Sequence, residues 1–265
     1  MLTTITFRGP GDAMGVPRVF CDCDVCEDAR RGGATRRYRS LLQLAEPMSG
    51  MTWIDGGPDW GRQMEAAGLR SLDRMLITHA HFDHIGGLPE WADACRWTGK
   101  RGEAYVPGEV KHEILSRFPW LERQIEFHAA DRPFRVGSWE ARAWRVNHGK
   151  NGYAYAYRFV QPHSGYAWAY CPDSIGLSEL EIEPLRGLDL LVLGTSFYHE
   201  PFPYETRSVY DVREALALID DVRPGQTIFT HLSHDIDLRR TYPLPHGVRF
   251  AETGLTVRIG KPESA

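Results

Sequence analysis

The stretch Leu76-Ile77-Thr78-His79-Ala80-His81-Phe82-Asp83-His84-Ile85-Gly86-Gly87 decides the fold. Three histidines and one carboxylate fall within the six residues from His79 to His84, directly behind an apolar run. His79 and His81 flank one residue, so an extended segment can point both imidazoles the same way. Asp83 and His84 follow at a turn, and the two glycines let the chain bend tightly into a following helix. Imidazole and carboxylate together suit zinc, manganese or iron. A lone histidine is ordinarily structural or solvated, but four ligand-type side chains this close together need another reason.

Other strands end in the same way. The run Met51-Thr52-Trp53-Ile54 stops at Asp55-Gly56-Gly57, and Trp144-Arg145-Val146-Asn147 stops at His148. Trp168-Ala169-Tyr170-Cys171-Pro172 leads to Asp173, and Thr227-Ile228-Phe229-Thr230 leads to His231. Loops at strand ends are where a rigid scaffold presents reactive groups. Period-two and short apolar runs predict strands over 4–8, 40–44, 51–54, 74–77, 104–106, 141–146, 153–159, 166–170, 188–193, 226–230 and 255–259. Helical spacing appears over 60–67, 88–97, 109–117 and 211–221, the last with Val212, Leu216 and Ile219 on one stripe. Early strands come in adjacent pairs and later ones alternate with helices. That mixture predicts an α+β architecture of two packed sheets with helices outside. No repeat or Pro/Ser-rich linker interrupts the chain, so one domain over 1–265 is expected.

The 265 residues are 42% hydrophobic with a formal net charge of −4, which gives no electrostatic case for nucleic acid or a membrane as the main partner. The first residues alternate like a strand and lack the basic start and apolar block of a signal peptide. No apolar stretch is long enough to span a bilayer. A cytoplasmic protein is the expectation. Of five cysteines, Cys95 and Cys171 stand alone in apolar surroundings and read as buried thiols. Cys21, Cys23 and Cys26 are too close for an ordinary disulfide framework, and such a cluster is more often metal-binding. His112, His128, His163 and His246 lack ligand context and read as surface residues. Trp91, Trp97, Trp120, Trp139 and Trp144 read as core or rim. Arg30-Arg31 and Arg36-Arg37-Tyr38-Arg39 read as a solvated loop, with contact to a phosphate near the cleft as the sharper alternative.

His79-Ala80-His81-Phe82-Asp83-His84 resembles the HxHxDH signature of the metallo-β-lactamase superfamily, and His148, Asp173 and His231 follow in the order that family uses. The resemblance implies an αββα four-layer sandwich with two divalent ions, Mn²⁺ or Zn²⁺, in a cleft at the sheet edges. By position, His79, His81 and His148 would hold one ion, Asp83, His84 and His231 the other, and Asp173 both. Asp55 matches a position that supports the ligand histidines. Two such ions lower the pKa of a water clamped between them. Two dications against two carboxylates and a hydroxide leave the site cationic, which attracts a phosphoryl group.

Three thiolates want a fourth ligand for a structural zinc. His234, three residues after His231, can point elsewhere and tie down a zinc-binding N-terminal loop at about 20–27. This combination resembles the PhnP-like cyclic phosphodiesterase branch, with its Cys₃His zinc and THxSH tail. The implied function is hydrolysis of a small anionic phosphodiester, with a homodimer as the assembly expectation and nucleic acid not expected as a partner. Rival readings are a 3′-processing ribonuclease, which would need a long flexible arm that no insertion here supplies, a hydrolase of a lactone or thioester, and a non-catalytic binding protein like the cofactor-synthesis relative with the same cysteines. Asp83, Asp173 and His199 are expected to carry catalysis. The branch places a further histidine near the start of the late helix as proton donor to the leaving oxygen. The segment 205–214 has none, so His199 either takes that role or is a plain loop histidine.

Overall fold

A computed structural model describes residues 3–71 and 73–261. Met1, Leu2 and the last four positions of the expected domain lie outside the described residues. The first sheet is built from β1 (Thr3–Gly9), β2 (Leu41–Glu46), β3 (Gly50–Ile54), β4 (Arg74–Leu76), β5 (Gly102–Val106) and β6 (Ile125–Ala129). The second takes β7 (Phe134–Val136), β8 (Trp139–Asn147), β9 (Tyr153–Val160), β10 (Ala167–Cys171), β11 (Leu190–Gly194), β12 (Gln226–Thr230) and β13 (Val248–Phe250). The chain then returns to the first sheet as β14 (Thr256–Ile259). The strand orders are β14-β1-β2-β3-β4-β5-β6 and β13-β12-β11-β10-β9-β8-β7. The helices are α1 (Asp24–Arg30), α2 (Trp60–Ala66), α3 (Phe82–Ile85), α4 (Leu88–Thr98), α5 (Gly108–Arg117), α6 (Glu179–Ile182) and α7 (Val212–Val222).

Strand alternation explains the four layers. Ile5, Phe7, Leu42, Leu44, Ile54 and Leu76 of the first sheet face Trp139, Phe159, Trp168, Leu190, Val192 and Ile228 of the second. The opposite face of the first sheet, with Trp53, Met75 and Ile77, packs on Trp60, Leu88, Trp91 and Ile114 of the helices. The outer face of the second sheet sets Leu191, Leu193 and Phe229 against Val212, Ala215 and Leu218 of α7. A strand such as Leu190-Leu191-Val192-Leu193-Gly194 is therefore buried along its whole length, which is why it reads as a continuous apolar run. Burying both faces of both sheets against three apolar layers supplies the dominant favourable term in folding.

Four features differ from the sequence reading. Strands β6, β7 and β13 were not anticipated, and all three are sheet edges. The cysteine segment is not all loop: α1 begins at Asp24 and buries Val25, Cys26 and Ala29. The buried stripe of α7 is Val212, Ala215, Leu218 and Val222, with Leu216 and Ile219 only flanking it. The arginine patch is not simply solvated, because Arg37 is 1% exposed and donates to the carbonyls of Ser233 and Ile236 at 2.9 Å each. Arg39 is bound twice to Asp59, at 2.8 and 2.7 Å. Cys95, Cys171, Trp91, Trp139 and Trp144 are buried, whereas Trp97 and Trp120 are exposed. Among the described residues no helix is long and apolar enough to cross a membrane.

Candidate metal centres

Each cleft histidine or aspartate sits just past a strand, and local contacts hold it there. After β3, Asp55 takes a left-handed backbone at φ +61°, a conformation that costs about 1–2 kcal/mol. It is fully buried. The strain turns its carboxylate onto the segment after β4. Oδ1 accepts the Thr78 amide at 2.8 Å, and Oδ2 accepts from His84 Nδ1 at 2.8 Å. His84 Nε2 is thereby left with its lone pair toward the cleft. The two loops touch through glycine: a Cβ on Gly57 would lie 2.3 Å from the Asp83 carbonyl oxygen. His148 is set by Nδ1 donating to the Ser208 carbonyl at 2.7 Å. His231, past β12, is a second non-glycine residue in the left-handed region, at φ +57°.

Two donor groups result, His79/His81/His148 and Asp83/His84/Asp173/His231, the atoms of each lying within 4.8 Å of one another. In the first, His79 Nε2 is 2.9 Å from His81 Nδ1, which is 3.3 Å from His148 Nε2. In the second, His84 Nε2 is 3.1 Å from Asp83 Oδ2, and His231 Nε2 is 3.3 Å from the same oxygen. Asp173 Oδ2 stands 3.2 Å from His79 Nε2 and 2.9 Å from His84 Nε2, so one carboxylate belongs to both groups. Its other oxygen, Oδ1, is buried, receives no hydrogen bond and lies 3.2 Å from His231 Nε2. Around a zinc ion with bonds of about 2.0–2.1 Å, tetrahedral donors sit roughly 3.4 Å apart. Nitrogen and oxygen donors converging at such spacing, around two buried carboxylates, fit divalent ions.

The charge pattern separates the groups. Burial, then the nearby His84, pushes His79 down to about 3. Burial also lowers His81 and His148, so this trio is neutral and ready to donate lone pairs. In the second group burial would raise Asp83 and Asp173, but His84 and His231 hold both carboxyls well below the usual range. The carboxylates in turn outweigh burial and push His84 up.

A separate set forms at the N-terminal segment. Nδ1 of His234 lies 3.2 Å from Cys21 Sγ and 3.5 Å from both Cys23 Sγ and Cys26 Sγ. Zinc bonds of about 2.3 Å to sulfur and 2.0–2.1 Å to nitrogen would space such donors roughly 3.5 Å apart. Burial pushes the Cys26 thiol up to about 11, so a metal must displace its proton. Three soft thiols with one imidazole suit zinc, and the oxygen-rich cleft suits harder ions as well.

The cleft has a volume of about 140 Å³ and is lined by His81, Asp83, His148, Asp173 and His231. Asp12, Asn151, Ser196, Glu200 and Ser208 add further polar residues to it. The sequence reading did not single out these five. Asp12 carried a usable signal, since it follows β1 in Gly9-Pro10-Gly11-Asp12, the same strand-end pattern as Asp55. His199 is not in the lining: its side chain is 60% exposed and its Nδ1 is 3.1 Å from Asp211 Oδ2. Its neighbour Glu200 lines the cleft instead. Neither Arg37 nor Arg39 reaches the lining.

The beta-lactamase superfamily domain model matches residues 52–232. The chain is 28% identical to a crystal structure described as a new diphosphatase from the PhnP family, covering 97% of this chain and 98% of that one with a TM-score of 0.84. It is also 28% identical over 266 residues to an octanoyltransferase of Porphyromonas gingivalis, covering 95% of this chain and 50% of that protein. A ribonuclease Z of Agathobacter rectalis is 28% identical over 145 residues, covering 50% of this chain and 48% of that protein. This chain thus spans about half the length of each of these last two relatives.

Proposed function

Since the chain belongs to the beta-lactamase superfamily, whose members here point to a metal-dependent hydrolase, we propose that it cleaves a small, possibly cyclic, phosphodiester or a related phosphoric ester or anhydride. The observation that carries this reading is Asp173, whose Oδ2 stands 3.2 Å from His79 Nε2 and 2.9 Å from His84 Nε2. A carboxylate shared by two donor groups suits a pair of ions, the arrangement used to stabilise the attacking and leaving oxygens of a phosphoryl displacement. The likeness to a PhnP-family diphosphatase over nearly the whole chain supports the same class.

In this reading His79, His81 and His148 hold one divalent ion, Asp83, His84 and His231 the other, and Asp173 both. Bound there, two divalent ions would lower the pKa of a water and polarise the phosphoryl group. Asp55 fixes the His84 tautomer and the Ser208 carbonyl fixes that of His148. Asn151, Ser196 and Ser208 offer hydrogen-bonding groups at the cleft. Cys21, Cys23, Cys26 and His234 hold a structural zinc, for three metals per chain within one domain. Elemental analysis of protein purified without chelator should return more than two equivalents.

A second reading is hydrolysis of an acyl ester or thioester. It is favoured by the octanoyltransferase relative, which shares this chain's length over half of its own. A metal-reconstituted screen over bis(p-nitrophenyl) phosphate, 2′,3′-cyclic nucleotides, diphosphates, lactones and thioesters separates the two. Turnover of phosphoric substrates alone is the expected result, and turnover of lactones or thioesters alone would replace the first reading with the second.

A further inference from the structure

We propose that the Glu200 carboxyl is the proton donor to the leaving oxygen, an inference that rests on the phosphoric-ester reading above. Expulsion of an alkoxide from phosphorus needs a proton, and the metal ligands have none to give. Glu200 shares the cleft lining with His81, Asp83, His148, Asp173 and His231. Its side chain is only 12% exposed.

The surrounding contacts hold it in place. Asp211, the residue that caps α7, accepts the Glu200 amide on Oδ2 at 3.0 Å. Arg207, itself 6% exposed, stands with Nε 3.2 Å from Glu200 Oε2 and is anchored to Glu214 at 2.9 and 2.5 Å. Among the described residues no hydrogen bond reaches the other oxygen, Oε1, so a proton there is not committed to a partner. An ionised carboxylate at this place would repel an anionic substrate, whereas a protonated one can donate to it. Burial raises the Glu200 carboxyl despite Arg207, which favours the donor form. His199 lacks this placement: it is 60% exposed, it is outside the lining, and its Nδ1 faces Asp211 Oδ2.

The step balances within the site. The oxygen of the attacking water forms the new P–O bond while the P–O bond to the leaving group breaks. The leaving oxygen takes the proton from Oε1, and the proton lost by the water restores the carboxyl.

The test uses the metal-reconstituted full chain and its Glu200→Gln variant on two substrates. A 2′,3′-cyclic nucleotide expels an alkoxide, and bis(p-nitrophenyl) phosphate expels a phenolate that leaves unaided. A positioned acid contributes roughly 10²–10⁴-fold. The variant should lose that much on the cyclic nucleotide and stay within about threefold on the nitrophenyl ester, whose rate also reports folding. Glu200→Asp, which keeps an acid one methylene back, should recover part of the cyclic-nucleotide rate. If Glu200→Gln does not fold, the same split in Glu200→Asp carries the test. Equal losses on both substrates, or none on either, would overturn the inference while leaving the phosphoric-ester reading intact. A wild-type chain active on diphosphates alone would overturn this inference, since a phosphate leaves without that proton, and one that turns over no phosphoric substrate at all would overturn the reading as well.

Discussion

The cleft ligands reach their places from the ends of β4, β8, β10 and β12, strands embedded between two helical layers. Cys21, Cys23 and Cys26 instead come from one short segment whose own buried cluster is Val16, Val25, Cys26 and Ala29. The cleft donors are therefore assembled by the core, with the sheet interior meeting the cost of crowding imidazoles and carboxylates. The thiol set has little core beneath it. Its segment is anchored across the molecule by His234 and by Arg37, whose guanidinium reaches Ser233 and Ile236. The physical lesson is that one set is held by the core, while the other has little core to hold it and would gain order from an ion on the proposed reading.

The largest effect should come from Asp173→Ala. It removes the one carboxylate common to both cleft donor groups, so the rate should fall beyond the roughly 10–100-fold that losing a supporting residue costs. Thermal melting in the presence of chelator should move by only a few degrees, because the core strands place the remaining ligands. A collapse of the melting temperature in chelator would show that the cleft, too, depends on its ligand contacts for folding, and the contrast would break.

Cys23→Ser should act in the opposite order. Structural zinc in small peptides is worth about 10–16 kcal/mol of apparent binding energy, and that binding is folding energy. Losing a thiolate should cost several kcal/mol of it, and melting should fall by about 10 °C or more at the usual 2–4 °C per kcal/mol for a chain of this size. Hydrogen exchange should rise over 16–37 before it rises in the sheets, with turnover per folded molecule nearly kept. If Cys23→Ser and Asp173→Ala gave the same melting shift and the same rate loss, the two sets would not differ in role.

Asp55→Asn sharpens the comparison within the cleft. The amide keeps the shape at φ +61° but weakens the hold on His84 Nδ1. A loss of about 10–100-fold in metal affinity or rate is expected, measurable by titrating metal into stripped protein. An unchanged affinity would mean that Thr78 and the backbone alone orient the ligands.

The same contrast explains what could be read from the sequence. Two packed sheets with helices outside were legible because the central strands are buried and leave apolar runs, and the αββα order followed from the resemblance carried by the ligand-type residues after β4, β8, β10 and β12. The strands that escaped, Ile125–Ala129, Phe134–Val136 and Val248–Phe250, are edges, and Val248–Phe250 has no fully buried residue. An edge is made by its neighbour's hydrogen bonds more than by its own pattern. The helix from Asp24 was hidden because the cysteine spacing dominated the segment, although Val25, Cys26 and Ala29 mark its buried face. Ser178-Glu179-Leu180-Glu181 is the capping box of α6, a start signal with too short an apolar stripe behind it to mark a helix. Glu200 enters the cleft only through folding, since it stands in no motif, whereas Asp12 shares only the strand-end position of Asp55.

The smallest effect is expected at His199. Its imidazole is 60% exposed and outside the cleft lining, so His199→Ala removes neither a ligand nor a lining group. What it loses is one contact to Asp211 Oδ2, an oxygen that still accepts the Glu200 amide at 3.0 Å. Asp211 keeps the Glu200 amide on Oδ2 and the Glu214 amide on Oδ1, so melting should move by no more than a few degrees. Rates on the cyclic nucleotide and the nitrophenyl ester should each stay within about threefold, since no positioned acid has been removed. A selective loss on the cyclic nucleotide alone would return the proton-donor role to His199. It would also mean that the loop from Phe197 to Glu200 turns its histidine inward when substrate is bound.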